Sequence, residues 1–188
     1  GGGGGGGGLG RLRPVPTGTG RKAETSAEFW YLRSGRGTNM NMEIRDATAS
    51  DVHAIARLLA DDGLGRGRET PGDPVYTEAF ARMSSQPGNV YMIAMEGSEV
   101  IACLQYTVIH GLSRSGASRA QIEGVRVSGA HRGRGLGESL MQAAIERARA
   151  DGCRLVQLTT DRAREDAHRF YERLGFVASH HGMKLDLG

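Results

Sequence analysis

The sequence predicts one domain of the mixed α/β class, with helices packed against a single sheet. Two apolar β-type runs near the middle of the chain are joined by a short turn, as in an antiparallel hairpin. In the second half such runs alternate with helix-like segments, as in βαβ units, and the predicted order is β-α-α-β-β-β-α-β-α-β. The length of 188 residues suits one domain, and no internal repeat is visible.

Residues 1–41 differ in composition from the rest of the chain. They begin with eight glycines, are rich in Gly, Arg, Pro, Ser and Thr, and contain one small apolar cluster at 29–32. Because this composition cannot bury a core, we expect a disordered leader, which an added tag or read-through explains as readily as a native extension. The domain then spans residues 42–188, and Met40 or Met42 is its natural start.

The positive charge of the chain belongs to that leader. The net charge is +3, but residues 1–41 carry six Arg or Lys against two acids, whereas residues 42–188 carry 18 against 19. The domain therefore gives no electrostatic case for nucleic-acid binding, and its few aromatic residues do not suggest stacking on bases. No apolar run approaches the roughly 18 residues of a membrane span, and no secretory signal is visible.

The two cysteines predict neither a metal site nor a disulfide. Cys103 and Cys153 lie in apolar segments, and no CxxC or Cys/His ligand spacing occurs. We therefore expect buried free thiols, which are typical of a protein in the reducing cytoplasm.

The first half of the domain is expected to contain three strands and two helices. Residues 42–47 form the first strand, and a polar run at 48–51 begins a helix. The apolar residues of that helix recur with the spacing of one buried face: Val52, Ile55, Ala56 and Leu59. A second helix covers about 76–84, and strands at 90–95 and 100–108 form a hairpin closed by the Glu-Gly-Ser-Glu turn at 96–99.

The second half is expected to alternate strands with helices. A strand at about 120–127 precedes a helix at 136–150, and a strand at 155–160 precedes a helix at 163–174. The helix at 136–150 has an apolar inner face: Leu136, Leu140, Ala143, Ala144 and Ala148. Residues 176–177 and 183–187 supply a last strand or pair of strands.

The run at 131–140, His-Arg-Gly-Arg-Gly-Leu-Gly-Glu-Ser-Leu, lies between a predicted strand and a predicted helix. Three glycines in five positions let several backbone N–H groups approach one anion, and the helix adds the positive end of its dipole. Arg132 and Arg134 add full positive charge. We interpret the run as a diphosphate cradle; a solvated, flexible turn is the alternative. Neither the GxxxxGK phosphate loop nor the GxGxxG dinucleotide fingerprint is present, which argues against ATP and NAD.

Two motifs resemble those of a known family. Residues 132–137, Arg-Gly-Arg-Gly-Leu-Gly, fit the R/Q-x-x-G-x-G/A pattern of the GNAT N-acetyltransferase superfamily, and residues 167–176 resemble its A-x-x-F-Y-E-x-L-G-F segment. Because both motifs are present, with one strand between them, the sequence from about 42 to 187 is identified as a member of this superfamily. The resemblance implies a mixed, mostly antiparallel central sheet flanked by helices, with a splayed strand pair at the cofactor site.

The resemblance also implies acetyl-CoA as co-substrate, without a metal. Backbone amides of the glycine loop would hold its diphosphate, and the backbone of the preceding strand would pair with its pantetheine arm. The implied cofactor residues are Val125, Val127, Arg132, Gly133, Arg134, Gly135, Leu136, Gly137 and Glu138. Many members carry Asn where this chain has Arg164, which could instead reach the CoA 3′-phosphate or an anionic substrate.

Two side chains are candidates for proton transfer. Tyr171 matches the family tyrosine that protonates the departing CoA thiolate; a core aromatic is the alternative. Glu123 is a candidate base, because alternation along the strand would place it on the same face as Val125 and Val127. An ordinary ion-paired strand residue is the alternative for Glu123, and His110, His180 and His181 are further candidates for the base.

The resulting hypothesis is an acetyl-CoA-dependent N-acetyltransferase. It would act on a primary amine of a small molecule or amino-acid-like acceptor by direct attack in a ternary complex. The loops at 61–73 and 110–119 would face the acceptor, and Arg114 and Arg119 would suit an acceptor with an anionic group. The alternatives are a protein or peptide N-acetyltransferase and a non-catalytic acyl-CoA-binding regulatory module. A homodimer is compatible with the resemblance, whereas nucleic-acid and membrane partners are not expected.

Overall fold

A computed structural model of the chain describes residues 42–61 and 67–187. The predicted leader and the centre of the 61–73 loop lie outside these residues. The elements in chain order are β1 (Met42–Asp46), α1 (Val52–Ala60), α2 (Val75–Ser84), β2 (Asn89–Glu96), β3 (Glu99–Ile109), α3 (Ser113–Gly116), β4 (Arg119–Val127), α4 (Leu136–Ala150), β5 (Leu155–Leu158) and α5 (Glu165–Arg173). Two short 3-10 segments, Ala49–Asp51 and Gly129–His131, precede α1 and follow β4.

The described strands form one five-stranded sheet in the order β1-β2-β3-β4-β5. The first three pairings are antiparallel and the last, between β4 and β5, is parallel. The prediction of a mixed, mostly antiparallel sheet flanked by helices is therefore confirmed. The α4 bounds, Leu136–Ala150, agree with the predicted helix at 136–150, and all five residues of its predicted inner face are buried.

The two faces of the sheet carry different layers. On one face α4 and α5 cover the main core, in which Ile44, Met92, Leu104 and Ile122 are at most 1% exposed. On the other face α1 packs through a smaller cluster that includes Ile55, Leu58, Ile93 and Cys103. We call these the core face and the α1 face. Burial raises the pKa of the Cys103 thiol to about 12, as expected of a free cysteine in the interior.

The predicted last strand is not formed, so this part of the prediction was wrong. Residues 176–187 contain no strand, and Met183, Leu185 and Leu187 are between 85% and 96% exposed. Their alternation with polar residues has the period of a half-buried strand, but a strand also needs a partner edge for its backbone hydrogen bonds. In this part of the chain the segment pairs with neither free edge of the sheet, β1 or β5, so its apolar side chains stay exposed and the alternation alone does not produce a strand.

A polar cluster around Asp51 joins β1 to the start of α1. Both carboxylate oxygens accept hydrogen bonds from the Arg45 guanidinium, at 2.8 and 2.9 Å. The backbone N–H and the hydroxyl of Thr48 also donate to Asp51, at 2.7 and 2.9 Å. Burial opposes ionisation of this carboxyl, but the donated hydrogen bonds outweigh it and hold the pKa of Asp51 below its usual value.

The Asp51→Asn variant should be less stable at neutral pH, by about 1–3 kcal/mol, because a charged hydrogen-bond acceptor is lost. A lowered folded-state pKa means that the native carboxylate contributes stability above its unfolded pKa, near 4, and loses it as the pH falls through the folded pKa. The difference in unfolding free energy between the two proteins should thus shrink below about pH 4. Urea titrations at pH 7, 5 and 3 measure it, and a difference that does not change with pH would contradict this role.

Candidate active site

The parallel pairing of β4 with β5 ends before β4 does. Arg119 to Ile122 pair with Leu155 to Leu158, whereas β4 continues to Val127. The next five residues of β4, 123–127, extend past the end of β5, so a gap opens between the two chain segments. The splayed strand pair that the resemblance implied is therefore present.

A β-bulge lies where the gap begins. In the register between β3 and β4, Gln105 is opposite Glu123 but Cys103 is opposite Arg126, so β4 carries one extra residue. Gly124 takes up this residue with a φ of +59°. A Cβ at Gly124 would lie 3.3 Å from the Tyr91 hydroxyl. Glycine is required here both by the left-handed backbone and by the close approach of Tyr91.

The bulge corrects the predicted orientation of Glu123. Strict alternation would put Glu123 on the same face as Val125 and Val127, but the extra residue breaks the alternation between them. Val125 and Val127 pack on the core face, whereas Glu123 is opposite Gln105 on the α1 face. The predicted shared face was therefore wrong. Glu123 is exposed on the side of the sheet that carries α1 and α2.

The glycine loop after β4 has the open geometry of an anion site. Gly133 and Gly135 have φ values of +79° and +76°, and a Cβ at either would meet no atom within 4 Å. Gly135 is also the N-cap of α4. The first backbone N–H groups of a helix have no partner within it, so those of Leu136, Gly137 and Glu138 are available to an anion.

The two arginines of the loop are engaged elsewhere. Arg132 donates to the backbone oxygen of Asp61 at 2.9 Å, and Arg134 pairs with Glu96 at 2.7 Å. The expectation that both add full positive charge to the cradle therefore needs revision, because the Asp61 and Glu96 carboxylates, 3.9 and 2.7 Å away, offset part of that charge. What the loop offers an anion is its backbone.

The start of α4 lies close to the end of β4 and to α5. A Cβ at Gly137 would be 3.5 Å from Val127 and 3.6 Å from the Phe170 ring. Arg164 is exposed at the N-cap of α5, beside a surface depression of about 420 Å³. The predicted cofactor residues of β4, the loop and α5 are thus brought to one end of the sheet.

Tyr171 lies on α5 with its ring against the core. It contacts Phe170 and Phe176 edge to face, with ring centroids 5.2 and 5.9 Å apart. Burial raises the pKa of the Tyr171 phenol above its usual value, and the positive charges of Arg164 and Arg126 oppose part of that rise. The hydroxyl therefore keeps its proton at neutral pH and is chemically suited to act as a proton donor.

Tyr91 and Gln105 were not singled out from the sequence. Burial raises the pKa of the Tyr91 phenol well above its usual range, and the charge of Glu123 adds to the effect. Both residues lie within apolar strand runs, which predict strands but not which side chains face a site. Gly124, a lone glycine inside a predicted strand, was the available signal for the bulge that brings Tyr91 close to β4.

The other predicted base candidates are surface histidines. His110 is exposed at the end of β3 and lies 2.8 Å from the Ser118 hydroxyl, and His180 and His181 are exposed in the C-terminal segment. Within the described ranges no group of His, Cys, Asp and Glu side chains could hold a metal ion. No helix of these ranges is long and apolar enough to cross a membrane.

Comparisons with known proteins point to one family. The family model described as the acetyltransferase (GNAT) family matches residues 52–176. A search of the curated proteins gives no match. Among solved structures, a transcriptional regulator from Bacillus halodurans C-125 is 46% identical and has a TM-score of 0.75, with 78% of this chain and 99% of that chain covered.

Two further solved structures share the fold. An acetyltransferase from Trypanosoma brucei is 28% identical, covers 78% of this chain and 100% of its own, and has a TM-score of 0.67. A predicted acetyltransferase from Clostridium acetobutylicum, solved with acetyl-CoA, is 18% identical, covers 78% and 96%, and has a TM-score of 0.63. With the splayed strands and the open glycine loop, the match over residues 52–176 shows that the chain belongs to the GNAT acetyltransferase family.

Proposed function

We propose that the protein is an acetyl-CoA-dependent N-acetyltransferase that acetylates a primary amine of a small molecule. The observation that supports this most directly is the position of the gap between β4 and β5. It begins at the bulge next to Glu123 and runs to the end of β4, where the open glycine loop leads into α4. A ligand with a diphosphate at one end and a reactive thioester at the other would fit this arrangement.

In this proposal the donor is held mainly by backbone. The N–H groups at the start of α4 bind the diphosphate, and the β4 backbone at Val125 and Val127, beyond the end of β5, bonds the pantetheine amides in place of the Arg126 and Arg132 side chains that donate to these two carbonyls. Acetyl-CoA supplies the activated acetyl group as a thioester. Because the amine attacks it directly, no metal and no covalent enzyme intermediate are needed. Arg164, at the N-cap of α5, is proposed to contact an anionic part of the cofactor.

Two side chains are proposed to move protons. The Glu123 carboxylate takes a proton from the ammonium group of the acceptor, directly or through water, so that its nitrogen becomes nucleophilic. As the new C–N bond forms and the C–S bond breaks, the Tyr171 hydroxyl donates its proton to the departing sulfur. The two free cysteines are consistent with the cytoplasmic location expected from the sequence.

Two alternatives are kept. A protein or peptide N-acetyltransferase would use the same donor chemistry with a different acceptor. A non-catalytic acyl-CoA-binding regulator is the other, and it is favoured by the description of the Bacillus halodurans protein as a transcriptional regulator. It would bind acetyl-CoA without releasing free thiol from it in the presence of amines, so turnover distinguishes it from the enzyme.

The Tyr171→Phe variant should lower turnover by about 10²–10⁴-fold, the usual contribution of a general acid, with acetyl-CoA affinity nearly unchanged. Because the pKa of Tyr171 is raised, the native rate should not fall on this account until the pH exceeds the usual phenol value, near 10. Free-thiol release measures the rate. Tyr106→Phe is the matched control, since it removes a core hydroxyl that bonds Asp151 at 2.7 Å. Equal rates in both variants would remove Tyr171 from the acid role.

The Glu123→Gln variant should reduce kcat/KM near pH 7 by about 10²–10⁴-fold, because glutamine cannot accept the ammonium proton. The deficit should shrink as the pH approaches about 10.4, where an aliphatic amine loses its proton unaided. A pH–rate profile checks both statements. Glu99→Gln, an exposed glutamate at the start of β3, is the control. A deficit that stays constant with pH would exclude Glu123 as the base.

The Gly135→Glu variant should weaken CoA binding by at least about tenfold, or roughly 1.4 kcal/mol, because a carboxylate would lie at the open cradle. Gly152→Glu provides the control, since Gly152 also has a positive φ, of +71°, and open space around its Cβ position, but follows the far end of α4. Calorimetric titration with CoA compares them. If the two variants bind CoA equally well, the loop is not the diphosphate site.

A further inference from the structure

A cavity of about 240 Å³ lies on the α1 face, between α1, α2 and the strands β2 and β3. Its lining is mostly apolar and consists of Val52, Ile55, Ala56, Leu59, Tyr76, Ala79, Phe80, Met83, Tyr91 and Gln105. None of these lining residues carries a charge. The volume is smaller than the roughly 300–1,000 Å³ of pockets that hold drug-sized ligands, so it suits a small molecule.

One end of this cavity closes on the bulge of β4. Two of its lining residues reach that point: a Cβ at Gly124 would lie 3.3 Å from the Tyr91 hydroxyl and 3.7 Å from the Leu59 methyl group. Glu123 is the neighbour of Gly124 in the chain, and the opposing charges of Arg126 and Glu123 both act on the Tyr91 phenol. A molecule in the cavity would therefore have one end beside Glu123, where β4 leaves β5.

Gln105 gives this end of the cavity a defined polarity. It is the cross-strand partner of Glu123, so the two side chains point to the same face of the sheet. Its amide nitrogen donates to Asn89 at 2.9 Å, and Asn89, which is only 9% exposed, donates in turn to Gln86. Because the amide nitrogen of Gln105 is the atom that donates in this chain of hydrogen bonds, its carbonyl oxygen is left as an acceptor. An amine at this end would meet a carbonyl oxygen and a carboxylate, both of which suit an N–H donor.

The residues predicted to form a basic rim do not line the cavity. Arg114 is exposed on α3, and the Arg119 guanidinium lies 3.8 Å from the Cβ position of Gly111. The nearby Glu69 carboxylate is bonded to Arg68 and Tyr76, both at 2.9 Å. None of the lining residues is a cation, and a nearby cation is Arg126 of β4, whose charge acts on Tyr91 at the bulge end. The apolar part of the cavity therefore offers an acidic group of the acceptor no cationic partner.

We propose that the acceptor is an amine with an uncharged apolar body, such as an arylalkylamine or a branched alkylamine. The apolar body occupies the cavity between α1 and α2. The amino group lies at the bulge, between the Gln105 carbonyl oxygen and the Glu123 carboxylate. This inference rests on the proposed function, whose donor site lies on the other side of the bulge, and it narrows the acceptor to one chemical class.

A panel of amines, used with the native protein, tests the proposed chemical class of the acceptor. The probes are 2-phenylethylamine, ethylamine, which lacks the apolar body, 2-aminoethylphosphonate, which carries an anion, and a lysine-containing peptide. With acetyl-CoA as donor, kcat/KM for 2-phenylethylamine should exceed that for ethylamine by about 10- to 100-fold, the scale of burying one apolar side chain. A higher value for the phosphonate or the peptide overturns the inference while leaving the proposed transferase intact.

Two substitutions on α2 test whether the acceptor binds in this cavity. Ala79 and Ala81 are both exposed alanines of α2, but only Ala79 lines the cavity. Ala79→Phe should fill the cavity and lower kcat/KM for 2-phenylethylamine at least about tenfold, while CoA affinity and melting temperature stay near native. Ala81→Phe should leave all three unchanged. Equal effects of the two substitutions overturn the inference.

A binding measurement separates this inference from the proposed function. Calorimetric titration of 2-phenylethylamine into the CoA-saturated protein needs no turnover. If no amine is acetylated although acetyl-CoA binds, the transferase proposal fails. The cavity assignment then stands only if the native protein and Ala81→Phe bind 2-phenylethylamine while Ala79→Phe binds it at least about tenfold more weakly. Absent or equal binding in all three proteins overturns it.

Discussion

The extra residue that β4 carries at Gly124 is the constraint on which the site depends. Because two residues of β4 lie opposite one of β3, the strand changes the face to which its side chains point. Before the bulge Ile122 points into the core, and after it Val125 and Val127 do, which leaves Glu123 on the α1 face. The same point marks the end of pairing with β5. One glycine thus lies where the gap begins, sets the face to which the carboxylate points and leaves room for the Tyr91 hydroxyl.

The helix α1 connects the proposed acceptor side of the bulge to the glycine loop. At its start Asp51 is held by Arg45 of β1. Just past its end, the Asp61 carboxylate accepts from the backbone N–H of Gly129 at 2.7 Å, and its backbone oxygen accepts from Arg132. Between these two anchors Leu59 reaches the Cβ position of Gly124. A shift of α1 would therefore alter the cavity, the bulge and the position of the loop together.

Local sequence patterns predicted those features of the fold that depend on local interactions. The inner face of α4 follows from apolar spacing, and the open backbone of Gly133 and Gly135 follows from their position between a strand and a helix. The patterns failed for features that depend on residues distant in the sequence. Asp61 and Glu96 engage the loop arginines from positions 71 and 38 residues away. The cavity needs four separate elements, and the C-terminal alternation pairs with neither free edge of the sheet, β1 or β5. At Glu123 the period-2 rule failed because it assumes a regular strand, although Gly124 was visible in the sequence.

The backbone and the side chains of β4 point in different directions, which suggests how one strand could serve both substrates. The donor, as proposed, would use the backbone of β4 in the plane of the sheet, which leaves the side chains on the α1 face free for the acceptor. Glu123 and Gln105 then act on the amine from one side, while Tyr171 lies on the helix α5 that covers the core face. The Tyr171 hydroxyl keeps its proton because burial raises the pKa of its phenol. The bulge places the carboxylate on the other side of the sheet from this donor, so the two groups would reach the amine and the departing sulfur from opposite sides.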